Sequence, residues 1–108
     1  MRRFTALAMF AITACTSPPP SGITSSDLTC PPDSTLTYEN FGEVFIADNC
    51  LSCHRSQARP ALTTLESVVA KKAAIISAAV TSTSMPRNTT MSVDDRALLG
   101  EWLTCGAP

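Results

Sequence analysis

Apolar residues recur at helical spacing in three stretches of this 108-residue chain, and nowhere do they alternate in the period-two manner of a half-buried strand. The first stretch is Phe41, Val44 and Phe45, with Thr37 as a candidate cap, running directly into Cys50-Leu51-Ser52-Cys53-His54. The second opens with Thr63-Thr64-Leu65-Glu66, which has the spacing of a capping box, and carries Leu65, Val68, Val69, Ile76, Ala79 and Val80 on one face. A break near Lys71-Lys72-Ala73 leaves open whether this is one helix or two. The third runs from about Val93 to Leu103, capped by Ser92 with Asp95 three residues on. Leu98, Leu99, Trp102 and Leu103 form its apolar face, with Trp102 expected in the core, and Gly106 is placed to end it. The pattern predicts an all-α fold.

Two segments fall outside this pattern. Arg2 and Arg3 precede an apolar run of ten residues, Phe4 to Thr13. A bilayer span takes about 20 apolar residues, so a cleaved signal over residues 1–14 is expected instead. The paired arginines suggest a twin-arginine signal, but the residues after them match it poorly. Thr16 to Thr29 is rich in Ser, Thr and Pro, including Pro18-Pro19-Pro20, a composition that reads as an extended tether. The remaining residues 30–108 form one candidate domain without internal repeats. A domain this small usually needs a staple beyond its apolar core.

The chemistry concentrates at Cys50, Cys53 and His54, the last being the single histidine of the chain. C-x-x-C-H is the spacing of a haem attachment site: two thiols on one helical turn form thioethers, and the adjacent imidazole reaches the iron. A thioredoxin-like pair would want a βαβ context, and a structural zinc site about four ligands, usually in two spaced pairs. On this motif the chain resembles the c-type cytochromes, from about Tyr38 to Pro108.

That resemblance implies a small class I helical domain wrapped around one covalent haem c. Gly42 lies eight residues before Cys50, as does a glycine that lets the first and last helices cross in many such proteins. The family's aromatic four residues before the first haem cysteine is Ile46 here, with Phe45 one position away. Met85-Pro86 resembles the Met-Pro pair that supplies the sixth iron ligand ahead of the last helix. Met91, just before the Ser92 cap, is the other candidate. The second ring nitrogen of His54 requires an acceptor, usually a carbonyl of a proline-containing loop, and Pro60 is the nearest. Arg55, Arg59, Lys71 and Lys72 either meet haem propionates or form a solvated face. Trp102-Leu103-Thr104-Cys105-Gly106-Ala107-Pro108 resembles the end of cytochrome c domains in bacterial lipoproteins.

Ile12-Thr13-Ala14-Cys15 resembles a bacterial lipobox, in which Cys15 is lipidated and becomes the first mature residue. The alternative is an ordinary cut near Ala14 that leaves Cys15 a spare thiol. Thr16 after Cys15 would favour the outer membrane in a Gram-negative cell. With Cys15 assigned to lipid and Cys50 and Cys53 to haem, two of the five cysteines remain, Cys30 and Cys105. A disulfide between them is expected, against two free thiols or an intermolecular bridge.

Cleavage would remove Arg2 and Arg3, leaving six of the eight basic residues against nine acidic ones, a net −3 that argues against a nucleic-acid partner. The expected function is extracytoplasmic single-electron transfer by one haem c with His54 and Met85 as axial ligands, without enzymatic activity. Expected partners are redox proteins, the cytochrome c maturation machinery, and a membrane held through Cys15. The rivals are a haem protein with an open sixth position, acting as gas sensor or peroxidase, with Arg87 as its one charged distal candidate, and a haem-free structural lipoprotein.

Overall fold

The computed structural model describes residues 18–56, 59–87 and 89–108, so the expected signal segment and Cys15 lie outside the described residues. Among the described residues regular structure is helical, and the β pairing is confined to an isolated antiparallel bridge between Pro20 and Ser82. The all-α expectation therefore holds. No helix of the described residues is long and apolar enough to cross a membrane.

The first helical stretch starts where expected. The Thr37 hydroxyl accepts from the Asn40 amide at 3.1 Å, and the Asn40 side-chain oxygen accepts from the Thr37 amide at 2.7 Å. A wide turn over Tyr38–Gly42, closed by Gly42 N–H to the Thr37 carbonyl at 3.0 Å, leads into α1 (Glu43–Asn49). Cys50 leaves helical geometry at φ −123° and ψ −37°, and α2 (Leu51–His54) resumes after it. The wide turn shifts the phase of the helix. Phe45 and Ile46 face the core, whereas Val44, expected on the apolar face, is 61% exposed.

The second stretch is two helices, α3 (Leu65–Ala70) and α4 (Lys72–Ile75), separated at Lys71 (φ −107°, ψ 15°) and followed by a wide turn, Ile76–Val80. Its cap lies one residue beyond the expected position. Thr64, not Thr63, accepts from the Ser67 amide at 3.1 Å, and the Ser67 hydroxyl accepts from the Thr64 amide at 3.1 Å, taking the place expected for Glu66. Val68, Ile75, Ala79 and Val80 are buried, while Val69 lies outside the core.

The last helix, α5 (Val93–Thr104), is capped by the Ser92 hydroxyl accepting from the Asp95 amide at 3.1 Å. It ends as its glycine requires. Gly106 has φ +94° and donates to the Leu103 carbonyl at 3.0 Å, while Ala107 donates to the Trp102 carbonyl at 2.9 Å. Those two bonds satisfy carbonyls that every helix C-terminus leaves open. Leu99, Trp102 and Leu103 are fully buried, and Leu98 faces solvent.

The two ends of the domain meet at Gly42. A Cβ built there would overlap the indole ring of Trp102, so the α5 side chain sits where only glycine leaves room. Phe41 meets Trp102 edge-on at 6.0 Å, and Tyr38 stacks on it at 6.4 Å. The Pro108 carbonyl accepts from both the Tyr38 amide and Trp102 Nε1.

The segment before Cys30 differs from its expected role as a free tether. Thr83 N–H donates to the Pro19 carbonyl at 2.9 Å, Ser21 N–H to the Thr81 carbonyl at 3.2 Å, and the Ser21 hydroxyl to the Val80 carbonyl. Leu28 packs over Gly100 of α5. Composition indicates poor core-forming capacity, but hydrogen bonds to an existing body and one buried leucine are enough to seat this strap. Its far end is covalently held, because Cys30 and Cys105 form a disulfide with Cα atoms 4.9 Å apart across a sequence separation of 75.

Two outcomes follow for stability. Gly42→Ala is expected to destabilise by about 1–3 kcal/mol through overpacking. That would appear as a fall in Tm of roughly 4–8 °C per kcal/mol in a thermal melt. Replacing Cys30 and Cys105 together by serine is expected to cost about 4 kcal/mol, the loop-closure value for a bridge of this span. Denaturant unfolding measures it, and a cost below about 1 kcal/mol would mean that the closed loop is already restrained without the bridge.

Candidate functional site

The motif Cys50–His54 is presented as a helical turn because α1 ends at Cys50 and α2 begins there. Cys53 N–H and His54 N–H both donate to the Cys50 carbonyl, at 3.3 and 2.9 Å. Cys50 and Cys53 are unpaired, half-buried thiols, and both line a cavity of about 670 Å³ together with His54. That volume lies within the ~300–1,000 Å³ range usual for cofactor and small-molecule sites. Burial pushes the Cys50 thiol up to about 11, so it is a neutral thiol at physiological pH.

His54 is fixed from two directions. Its Nδ1 lies 2.7 Å from the Pro60 carbonyl, and its own carbonyl accepts from Leu62 N–H at 2.8 Å. A carbonyl only accepts, so the proton sits on Nδ1 and Nε2 is left as a basic nitrogen. Pro60, the nearest acceptor in sequence, is thus the acceptor in space. The short loop suffices because Leu62 folds back onto the same residue that Pro60 contacts.

Leu62 and, from the second helical stretch, Ile75, Ala78 and Ala79 supply apolar lining. Met85, Pro86, Arg87, Thr89 and Met91 line it as well. Both candidate methionines therefore reach the cavity that holds His54. Met91 is additionally packed in the buried core, whereas Met85 is only partly buried. Of the four cations considered for a bound anionic edge, Arg59 lines this cavity. Arg59 and Lys71 also line an adjoining depression.

Met85 is held by its backbone. Its N–H donates to the Ala78 carbonyl at 2.9 Å, and its carbonyl accepts from Arg96 Nη1 at 2.7 Å. The same nitrogen donates to the Ala79 carbonyl at 2.7 Å and the Ser82 carbonyl at 3.1 Å. Arg96 is 4% exposed. Desolvation draws its pKa down from the ordinary arginine value, but a guanidinium stays protonated in proteins. Sequence reasoning passed over this residue, although one signal was present. Arg96 occupies the register of Leu99 and Leu103 on α5, where an apolar residue would be expected.

The polar residues of this loop also serve its own backbone. Ser82 Oγ accepts from the Ser84 amide at 3.0 Å and pairs with Ser84 Oγ at 2.8 Å. Two thiols, one imidazole with a basic Nε2, and two thioethers thus line one largely apolar cavity. Such a donor set suits a soft or borderline transition metal within a hydrophobic ligand. Among the described residues, no group of three or more His, Cys, Asp or Glu side chains gathers as a metal site, and the bridge takes Cys30 and Cys105 out of any such set. No family model, curated protein or solved structure matches the chain.

Proposed function

We propose that this protein is an extracytoplasmic single-electron carrier that holds one haem c in the cavity beneath Cys50–His54, with His54 and Met85 as axial ligands, in a small cytochrome c-like domain. The observation that carries the proposal is the His54–Pro60 contact. It fixes the tautomer that leaves Nε2 basic and orients the ring, in the manner of a histidine prepared as a metal ligand. The paired thiols on the same helical turn supply the two covalent attachments. Each S–H would add across one vinyl double bond of a haem, sulfur to one carbon and hydrogen to the other. Attachment therefore requires reduced thiols and consumes no oxidant. A bound haem would supply a reversible ferrous–ferric couple.

The chain's own residues do the rest. His54 and a methionine thioether would hold the iron from its two sides, a ligand pair that favours simple electron transfer and raises the potential relative to two nitrogen ligands. Leu62, Ile75, Ala78 and Ala79 line the cavity with apolar surface, which would limit water access and reorganisation around a bound haem. Met85 is preferred over Met91 because its backbone is anchored at both N–H and C=O while its side chain remains only half-buried. The expected partners are redox proteins and the maturation machinery that delivers haem to reduced Cys50 and Cys53. The domain would be held at a membrane by lipid on Cys15.

Attachment is tested by Cys50→Ala with Cys53→Ala. Acidic organic extraction should then remove all haem from the polypeptide, and haem that stays covalently bound would sink the assignment. His54→Ala should abolish the low-spin spectrum, since the chain has no other imidazole. Met85→Ala should lower the reduction potential and admit carbon monoxide to the ferrous haem, while Met91→Ala should do neither. If the wild type binds carbon monoxide as fast as Met85→Ala, the sixth position is open and Arg87, which lines the cavity, becomes the distal group of a sensor or peroxidase-like protein.

Anchoring has its own test. Cys15→Ser should abolish lipid labelling and release the protein from membranes without changing its haem spectrum. Membrane association that survives the substitution would show a different anchor.

A further inference from the structure

The Arg96 guanidinium is buried on α5, and its hydrogen bonds go to the backbone of the segment that ends at Met85. Nη1 carries two protons and meets three carbonyls, those of Ala79, Ser82 and Met85, at 2.7, 3.1 and 2.7 Å. The three acceptors come from the last turn of the second helical stretch, the loop and the methionine itself. A single planar cation therefore joins pocket wall, loop and candidate ligand to the last helix. Burying a cation is costly unless its protons are satisfied, so an apolar residue in this register would be simpler if α5 needed packing alone. Lysine would supply a point charge on a flexible stem in place of a rigid fork.

We propose that Arg96 is the positioning residue for the sixth iron ligand: it holds the Met85 loop closed over the cavity and keeps the methionine on the iron. The inference rests on the His54/Met85 reading and deepens it. Arg96 does not line the cavity itself. Its effect passes through the Met85 carbonyl, with the Met85 amide held independently by Ala78. Loss of one charge-assisted hydrogen bond changes a loop equilibrium by about tenfold or more. The open loop would leave Met85 off the iron for a measurable fraction of the time.

The experiment uses the full-length holoprotein and compares wild type, Met85→Ala, Arg96→Leu and Arg96→Lys. The readouts are the methionine-to-ferric-iron charge-transfer band, the reduction potential and the rate of carbon monoxide binding to ferrous protein. Arg96→Leu is expected to weaken the band, lower the potential and speed carbon monoxide binding by at least about tenfold, the factor that loss of the Met85 bond alone implies. Arg96→Lys should fall between that variant and wild type. A purely structural arginine would lower Tm while leaving band, potential and rate unchanged in the folded fraction, and that result overturns the proposal. Should neither arginine variant fold, the reciprocity of coupling supplies the decisive measurement. Hydrogen exchange at the Arg96 guanidinium should quicken in Met85→Ala relative to wild type, and equal exchange in the two overturns it. If wild type itself lacks the band, the His54/Met85 reading fails, and the role of Arg96 in it fails too. If the band is present in wild type, lost in Met85→Ala and untouched in both arginine variants, only the Arg96 proposal fails.

Discussion

The close approach of Trp102 to the backbone at Gly42 sets the frame for everything else in this domain. The indole occupies the space a side chain at position 42 would need, so the start of the first helical stretch and the last helix cross at near contact. Phe41 and Tyr38 flank the same ring, and Pro108 closes the assembly by accepting from Tyr38 and Trp102. With that crossing in place, α1 leads to Cys50 at a determined position. The helical turn bearing Cys50, Cys53 and His54 then follows without further adjustment. A larger residue at position 42 would displace the turn along with the helix, which couples a packing contact to the chemistry some distance away.

The domain is small, and it is held by constraints that compensate for a modest core. The Cys30–Cys105 bridge joins the strap to the end of α5, and Leu28 fills the space left by Gly100. The strap also takes up the exposed backbone of Thr81 and Thr83, the segment leading to Met85. Arg96 grips that segment from the inner side. Backbone groups that would otherwise need water are thus satisfied by protein on both sides of the loop.

The cysteines divide by environment. Cys30 and Cys105 are oxidised and cross-link the ends of the domain, while Cys50 and Cys53 stay unpaired three positions apart on one turn. Burial raises the Cys50 thiol above its ordinary value, which lowers the fraction of its thiolate, the form that takes part in disulfide exchange.

The chain itself determined the helical class, the Thr37 and Ser92 caps, the glycine stop at position 106 and the grouping of Cys50, Cys53 and His54. Each of these depends on residues within a few positions of one another, where spacing and hydrogen-bonding chemistry are readable directly. It also indicated the Cys30–Cys105 pair and the glycine at the helix crossing, although the first required assigning every other cysteine and the second leaned on a family resemblance. Local pattern was insufficient where two adjacent residues are chemically alike, as with Thr63 and Thr64, or where a wide turn rotates a helix, as at Val44. Only the tertiary structure decided that the Ser/Thr/Pro-rich strap is seated, that the Pro60 carbonyl accepts the hydrogen bond from His54 Nδ1 and that Met85 and Met91 both reach the cavity. Arg96 belongs in that group as well. Its three acceptors lie 11 to 17 residues away, and a buried cation makes physical sense only once the carbonyls that satisfy it have been brought together.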